Sequence, residues 1–235
     1  MVPLNDNNPT RTVPYVTYVF IALNVLIFLY EASLGPNLEA FFRVWAVIPR
    51  ALTFSFAGEP TGLPVAPPLT LITSQFLHGG LLHLGGNMLF LWIFGNNVED
   101  KLGHIKFVLF YLTCGVLAAL SQWYFNMDSL VPSLGASGAI AGVMGAYILR
   151  FPRAEITTLI PLGIFPWTVR IPAVFFLGFW FVQQTFSGLM SLEAPMDVTS
   201  GGGGIAYWAH AGGFLFGAVL GPFLGLFADR SEEVY

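Results

Sequence analysis

Long apolar segments recur along this chain of 235 residues, and they constrain its fold more than any other feature. Inside a bilayer no water is available to the peptide groups, so a crossing segment must satisfy its backbone hydrogen bonds internally, as a helix does. Charged residues make up only 9% of the chain, against about 25% in a typical soluble domain. The sequence therefore predicts an all-α membrane protein, a polytopic bundle of six transmembrane helices.

The apolar segments divide the chain into one membrane domain over residues 14–228 and two short tails, 1–13 and 229–235. The predicted spans are approximately 14–30, 69–94, 107–125, 137–149, 171–189 and a last one that ends by 227. The first tail is polar and contains proline, which favours an irregular or surface-lying segment. Residues 150–170 are interpreted as a loop. The loop between the first two spans mixes aromatic residues with arginines, which is typical of a membrane-embedded segment.

Two of the apolar segments carry small residues at helical spacing. The segment 135–147 reads GASGAIAGVMGAY, and the segment 209–225 reads AHAGGFLFGAVLGPFLG. Glycines four residues apart lie on one face of a helix and allow another helix to approach closely. The sequence thus predicts a backbone-to-backbone contact between these segments. The glycines assigned to helix packing are Gly135, Gly138, Gly142, Gly213 and Gly217.

Ser137 and His210 stand at corresponding ends of these two segments. A serine among small residues is by itself most often a packing residue. A histidine within a membrane span is costly, however, and marks a functional site by default. Together the pair predicts a nucleophile, Ser137, and its general base, His210.

A further polar motif, HGGLLHLGGN, occupies residues 78–87. His83 and Asn87 are four residues apart and therefore share a helical face. They are interpreted either as hydrogen-bonding groups between helices or as donors to an oxyanion. His78 and His83 are five residues apart, a poor spacing for a shared metal on a helix. No metal and no other cofactor is predicted.

The three motifs in this order resemble the rhomboid family of intramembrane serine proteases, and the resemblance spans residues 14–228. It implies a Ser137–His210 dyad, with His83, Asn87 and the backbone N–H of Ser137 as oxyanion donors. It implies a structural role for Glu99 at the membrane surface. It also implies that the substrates are transmembrane segments of other proteins, which enter from the lipid bilayer.

The sequence departs from the family pattern at Ala141, where similar enzymes often place an aromatic residue that packs on the histidine. Another group must therefore hold the His210 ring, and Tyr207 and Trp208 are the candidates nearest in sequence. The nearest carboxylates, Glu193 and Asp197, lie in or beside a glycine-containing loop and are poor orienting groups. A dyad is thus favoured over a triad.

Charge distribution predicts the orientation in the membrane. Seven positive residues fall on one face of the six-span arrangement: Arg11, Lys101, Lys106, Arg150, Arg153, Arg170 and Arg230. Only Arg43 and Arg50 fall on the other. Positive residues favour the cytoplasmic side, so both termini are predicted to be cytoplasmic, with a bacterial-type plasma membrane as the location. The small net charge of −4 argues against nucleic acid as a partner, and the oligomeric state is left open.

Two other function classes compete with the protease. A catalytically silent rhomboid-like protein would bind and escort membrane clients, but such relatives typically lack the serine or the histidine. A transporter or channel would distribute polar groups across the full depth of the bilayer, whereas here they gather in one half. The sequence favours an intramembrane serine endopeptidase over both.

Overall fold

The fold was analysed in a computed structural model that describes residues 1–162, 165–193 and 205–228. The helices are α1 (Tyr15–Ser33), α2 (Leu38–Trp45), α3 (Pro49–Phe56), α4 (Pro67–Thr73), α5 (Leu81–Leu102), α6 (His104–Phe125), α7 (Ser137–Arg150), α8 (Ala173–Glu193) and α9 (Tyr207–Leu224). The strands are β1 (Val2–Asp6), β2 (Glu155–Leu162) and β3 (Phe165–Pro172). The expected glycine-containing loop over 194–204 and the tail over 229–235 lie outside the described residues.

The protein is a multi-pass integral membrane protein. In the described part of the chain, α1, α6 and the segment Ala173–Leu192 of α8 are long and apolar enough to cross a membrane. A fourth candidate is a bent pair, in which Pro67–Phe76 meets α5 at 80°. The second predicted span, 69–94, is therefore broken at residues 77–80 rather than continuous. By length and composition, three or four spans are supported, against the six expected.

Helix α7 forms the centre of the molecule. Every residue from Gly138 to Tyr147 is buried, and α7 contacts α5, α6, α8 and α9. With 14 residues, it is about 21 Å long, shorter than the roughly 30 Å hydrocarbon layer. Since protein rather than lipid surrounds it, small residues can replace the bulky apolar side chains that a lipid-facing helix requires.

The all-α expectation is wrong at one end of the molecule, where β1, β2 and β3 form an antiparallel sheet in that order. Strands β2 and β3 form a hairpin in which Ile156 pairs with Ile171, and Val2 of β1 pairs with Leu159 of β2. Ile156 and Thr158 are buried, so the period of two that marks a strand is present. Three prolines and Arg170 in the hairpin obscure this pattern in the sequence.

The N-terminal segment is ordered by contacts with α5 and α7, which sequence reasoning did not anticipate. Asp100 accepts hydrogen bonds from the backbone N–H of Arg11 (3.0 Å) and of Thr12 (2.8 Å). Asp6 accepts from the amide of Asn97 (3.0 Å) and from the hydroxyl of Tyr147. The N-terminus, the end of α5 and the sheet therefore lie together at one end of the helical bundle.

Candidate active site

Ser137 and His210 meet at the opposite end of the bundle from the sheet. Ser137 is the first residue of α7, and His210 lies in the first turn of α9. The Nε2 atom of His210 is 2.7 Å from Oγ of Ser137, within hydrogen-bonding distance. Both side chains are half-buried. A hydroxyl in this position can transfer its proton directly to the imidazole.

Backbone contact between α7 and α9 brings the two residues together. A Cβ atom added at Gly213 would lie 2.2 Å from the carbonyl oxygen of Gly138, and one at Gly217 would lie 1.9 Å from that of Gly142. A Cβ added at Gly142 would in turn meet Cys114 of α6 at 2.6 Å. Only glycine fits at these contacts, since any side chain would force the helices apart.

The His210 ring is held from α8. Its Nδ1 atom lies 2.7 Å from Oε1 of the buried Gln184, and the ring of Trp180 is tilted against it with centroids 5.7 Å apart. Trp208 instead stacks on Phe125 of α6, with ring centroids 3.8 Å apart. Sequence reasoning missed Gln184 and Trp180. The polar pair Gln183–Gln184 within an apolar span was the sequence feature that could have indicated Gln184.

His83 faces the serine from the start of α5. Its Nδ1 atom accepts a hydrogen bond from the backbone N–H of Gly79 (3.4 Å), so its Nε2 atom carries the proton. A Cβ added at Gly135 would lie 2.8 Å from that Nε2 and 3.6 Å from Oγ of Ser137. Gly135 also has a φ of +125°, which disfavours other residues. The His83 ring thus lies against the backbone that leads into Ser137.

Asn87 lies one turn further along α5 and is buried. Its amide nitrogen is 2.9 Å from Nε2 of His78. An amide has two protons, so Asn87 can bind His78 with one and keep the other for a second acceptor. His78 also packs edge-on against His83, with ring centroids 5.1 Å apart. The polar motif at 78–87 is therefore one connected cluster.

A buried carboxylate, missed from the sequence, supports this cluster from α1. Both oxygens of Glu31 lie near the backbone N–H of His78, at 3.2 and 3.3 Å. Glu31 is 1% exposed, and the segment it holds is the bend between α4 and α5. A lone acidic residue at the end of an apolar span was the signal that could have indicated it.

Glu99 lies far from this site, among the groups at the sheet end. It accepts hydrogen bonds from the backbone N–H of Val16 (2.9 Å) and of Thr17 (2.8 Å), and from the Thr17 hydroxyl (2.7 Å). The Oε1 atom of Glu99 also lies 2.6 Å from Nδ1 of His104. The first turn of α1 has no cap from its own chain segment, so Glu99 satisfies its free N–H groups from α5.

Within the ranges that the structure describes, no group of three His, Cys, Asp or Glu side chains could hold a metal ion. The side chain of Glu193 and all of Asp197 lie outside those ranges, as do the glycine run at 201–204 and the tail at 229–235. The described polar groups of the site come from the starts of α7 and α9, the middle of α8, and the first turns of α5 with the bend before it, which Glu31 at the end of α1 supports. They form a local cluster at one end of the bundle.

Comparison with known proteins gives a match to the family model of the Rhomboid domain over residues 67–227. Rhomboid protein 1, mitochondrial, from Saccharomyces cerevisiae is 32% identical over 173 residues, which are 72% of this chain and 45% of that protein. The presenilin-associated rhomboid-like protein, mitochondrial, from Homo sapiens is 29% identical over 75% of this chain and 43% of its own length. Rhomboid protease GluP from Bacillus subtilis is 34% identical over 57% of this chain and 24% of its own length.

The chain thus spans less than half of the length of each of these relatives. Two of the three are named as mitochondrial proteins. The expected bacterial-type plasma membrane therefore receives no support from the comparisons, whereas a multi-pass membrane location does.

Proposed function

Because the chain belongs to the rhomboid family, as the match over residues 67–227 shows, we propose that it is a serine endopeptidase that cleaves transmembrane segments of other membrane proteins. The observation that carries the proposal is the 2.7 Å separation of His210 Nε2 and Ser137 Oγ. Small residues around Ser137 leave room for a substrate backbone to approach the hydroxyl.

In the proposed reaction, His210 Nε2 takes the proton of the Ser137 hydroxyl while Oγ attacks the scissile carbonyl carbon. The C–N bond of the tetrahedral intermediate then breaks, and the leaving amine takes the proton from His210. Water repeats the sequence on the acyl-enzyme: His210 takes a proton from water, the hydroxide attacks the acyl carbon, and Ser137 leaves with its proton restored. The site must therefore admit water, which is consistent with its exposed His83.

The oxyanion of the intermediate is proposed to bind His83, Asn87 and the backbone N–H of Ser137. His83 has a protonated Nε2 beside Gly135, and Asn87 retains one free amide proton. Ser137 begins a helix, so its N–H has no partner within α7 and the helix dipole favours negative charge there. In soluble serine proteases one such donor contributes about 10²–10³-fold to kcat.

The membrane arrangement is proposed to have six spans, with α7 and α9 as the two that fall short by length or composition. Helix α7 packs inside the other helices, where a short, glycine-rich helix is shielded from lipid. Helix α9 buries its glycine face against α7 and exposes Leu215, Val219 and Phe223 on its other side. The N-terminus, the α5–α6 turn and the α7–α8 hairpin lie at one end, together with Lys101, Arg150 and Arg170. We infer that this end is cytoplasmic and that the active site faces the opposite side.

A fluorophosphonate probe tests the proposal, because it reacts only with an activated serine. The detergent-solubilised protein should be labelled, and both Ser137→Ala and His210→Ala should abolish labelling. Ser121→Ala is a matched control, since the Ser121 hydroxyl binds the carbonyl of Leu117 within α6 and has no histidine partner. Ser137→Ala and His210→Ala should also lose cleavage of a model transmembrane substrate, and Ser121→Ala should keep it. Undiminished labelling of Ser137→Ala would refute the nucleophile, and a wild-type protein that neither labels nor cleaves would favour the silent, client-binding alternative.

A further inference from the structure

We propose that Gln184 of α8 is the positioning residue of His210. Its amide oxygen accepts the Nδ1 proton and thereby leaves the Nε2 lone pair facing Ser137. This inference rests on the hydrolytic function proposed above and deepens it. It assigns to a neutral amide the orienting role that an aspartate has in a Ser-His-Asp triad.

The two ring nitrogens of His210 have separate partners on separate helices. Nδ1 lies 2.7 Å from Oε1 of Gln184, and Nε2 lies 2.7 Å from Oγ of Ser137. A neutral imidazole has one N–H and one lone pair. An acceptor at Nδ1 therefore places the proton there and makes Nε2 the base. The opposite amide orientation would point an N–H at Nδ1 and leave the ring proton on Nε2. That nitrogen could then not accept the serine proton.

Packing restricts the Gln184 side chain and the imidazole ring together. Gln184 is 8% exposed, so its amide has few alternative partners. Trp180 lies four residues earlier on the same helix and touches the imidazole, with an interplanar angle of 35°, and it also contacts Phe214 of α9. One face of α8 thus supplies both a hydrogen bond and a ring contact to His210. Nothing comparable comes from α7, where Ala141 stands one turn after the serine.

An amide suits this position better than a carboxylate would. A buried carboxylate has a desolvation cost that needs a charged or strongly hydrogen-bonding environment to offset it. The groups at His210 are Ser137 from α7 and Gln184 and Trp180 from α8. The titratable His83 of α5 lies near Ser137, beside Gly135. No lysine or arginine is among these described neighbours. A neutral acceptor can therefore fix the tautomer without adding an uncompensated charge.

Variants at Gln184 test this role against their counterparts at Gln183, the exposed neighbour on α8. Gln184→Met keeps the approximate volume but removes the acceptor, so kcat should fall about tenfold while KM and the melting temperature change little. Gln184→Glu keeps an acceptor and should restore most of the rate. Its charge should favour the imidazolium, which would move the acid limb of the pH–rate profile to higher pH. Gln183→Met and Gln183→Glu should match the wild type in both measurements.

The outcomes separate this inference from the function on which it rests. A wild-type protein that is as inactive as Ser137→Ala would overturn the proposed function and this inference with it. An active wild type, with kcat and pH profile unchanged in Gln184→Met, would overturn only the role of Gln184. If Gln184→Met does not fold, the ¹⁵N chemical shifts of His210 in the wild type decide: a neutral ring protonated at Nδ1 supports the role of Gln184, and a ring protonated at Nε2 overturns it.

Discussion

The contact between α7 and α9 makes Gly217→Ala the most informative single substitution in this protein. A Cβ atom at Gly217 would lie 1.9 Å from the carbonyl oxygen of Gly142 and 2.4 Å from its carbonyl carbon and Cα. All three atoms are backbone, so no side chain can rotate away. Real Cβ atoms essentially never come closer than 3.0 Å to such neighbours. The two helices would therefore have to separate by about 1 Å.

The size of the effect follows from two opposing contributions. Overpacking of a tight contact costs about 1–3 kcal/mol, and alanine regains up to about 1 kcal/mol over glycine in helix propensity. We expect a net loss of roughly 1–2 kcal/mol in the free energy of unfolding. Activity should fall more steeply. His210 lies two turns before Gly217 on the same face, and a displacement of about 1 Å at a catalytic group can cost 10²-fold in rate.

Thermal melting in detergent and the initial rate of fluorophosphonate labelling should be measured on the same preparation. Gly178→Ala is the matched control, since a Cβ at Gly178 of α8 would meet no atom within 4 Å. It should melt at or slightly above the wild-type temperature and label normally. The reasoning is refuted if Gly217→Ala melts and labels like the wild type, or if Gly178→Ala is impaired to the same degree.

Two further substitutions probe the two ends of the bundle. If Asn87 supports the oxyanion, Asn87→Ala should lower kcat about 10²-fold, or roughly 2.7 kcal/mol, with little change in KM. The check is to measure kcat and melting temperature together. A destabilised but fully active variant would make Asn87 only a partner of His78. At the sheet end, burial raises the pKa of Asp6 above its ordinary 3.8, against the lowering effect of its Tyr147 hydrogen bond. The folded state therefore binds the Asp6 proton more tightly than the unfolded state. Stability of β1 should fall as the pH rises from 3.8 through the raised value, then level off. Hydrogen exchange of the β1 amides should report this slope, and Asp6→Asn should remove it; a slope that persists in Asp6→Asn would assign it to another group.

Sequence patterns predicted the parts of this protein that depend on local spacing. The low charge content and the long apolar segments required a membrane fold, because segments of this length are more stable in lipid than in water. The glycines at four-residue spacing predicted which two helices approach most closely. Ser137 and His210 stand at the same ends of those two segments, so their meeting followed from the packing prediction.

The sheet and the site's supporting groups were decided by tertiary structure. Strand β1 pairs with β2 across about 150 residues of sequence, and such a pairing leaves no periodic signal at either end. Glu31 contacts the backbone of His78, and a backbone contact places no requirement on the residue type of its partner. The bend between α4 and α5 was likewise hidden, because both halves are apolar and read as one span.

Gln184 shows most clearly what the sequence alone could not determine. From the sequence alone, residues 183 and 184 are identical glutamines in one apolar span. The packing of α8 buries the second against His210 and leaves the first exposed. Residue type and spacing determined which side chains could do chemistry, because those properties belong to each segment by itself. The rotation of one helix against another determined which glutamine reaches the imidazole, because that angle depends on every contact that the helix makes with its neighbours.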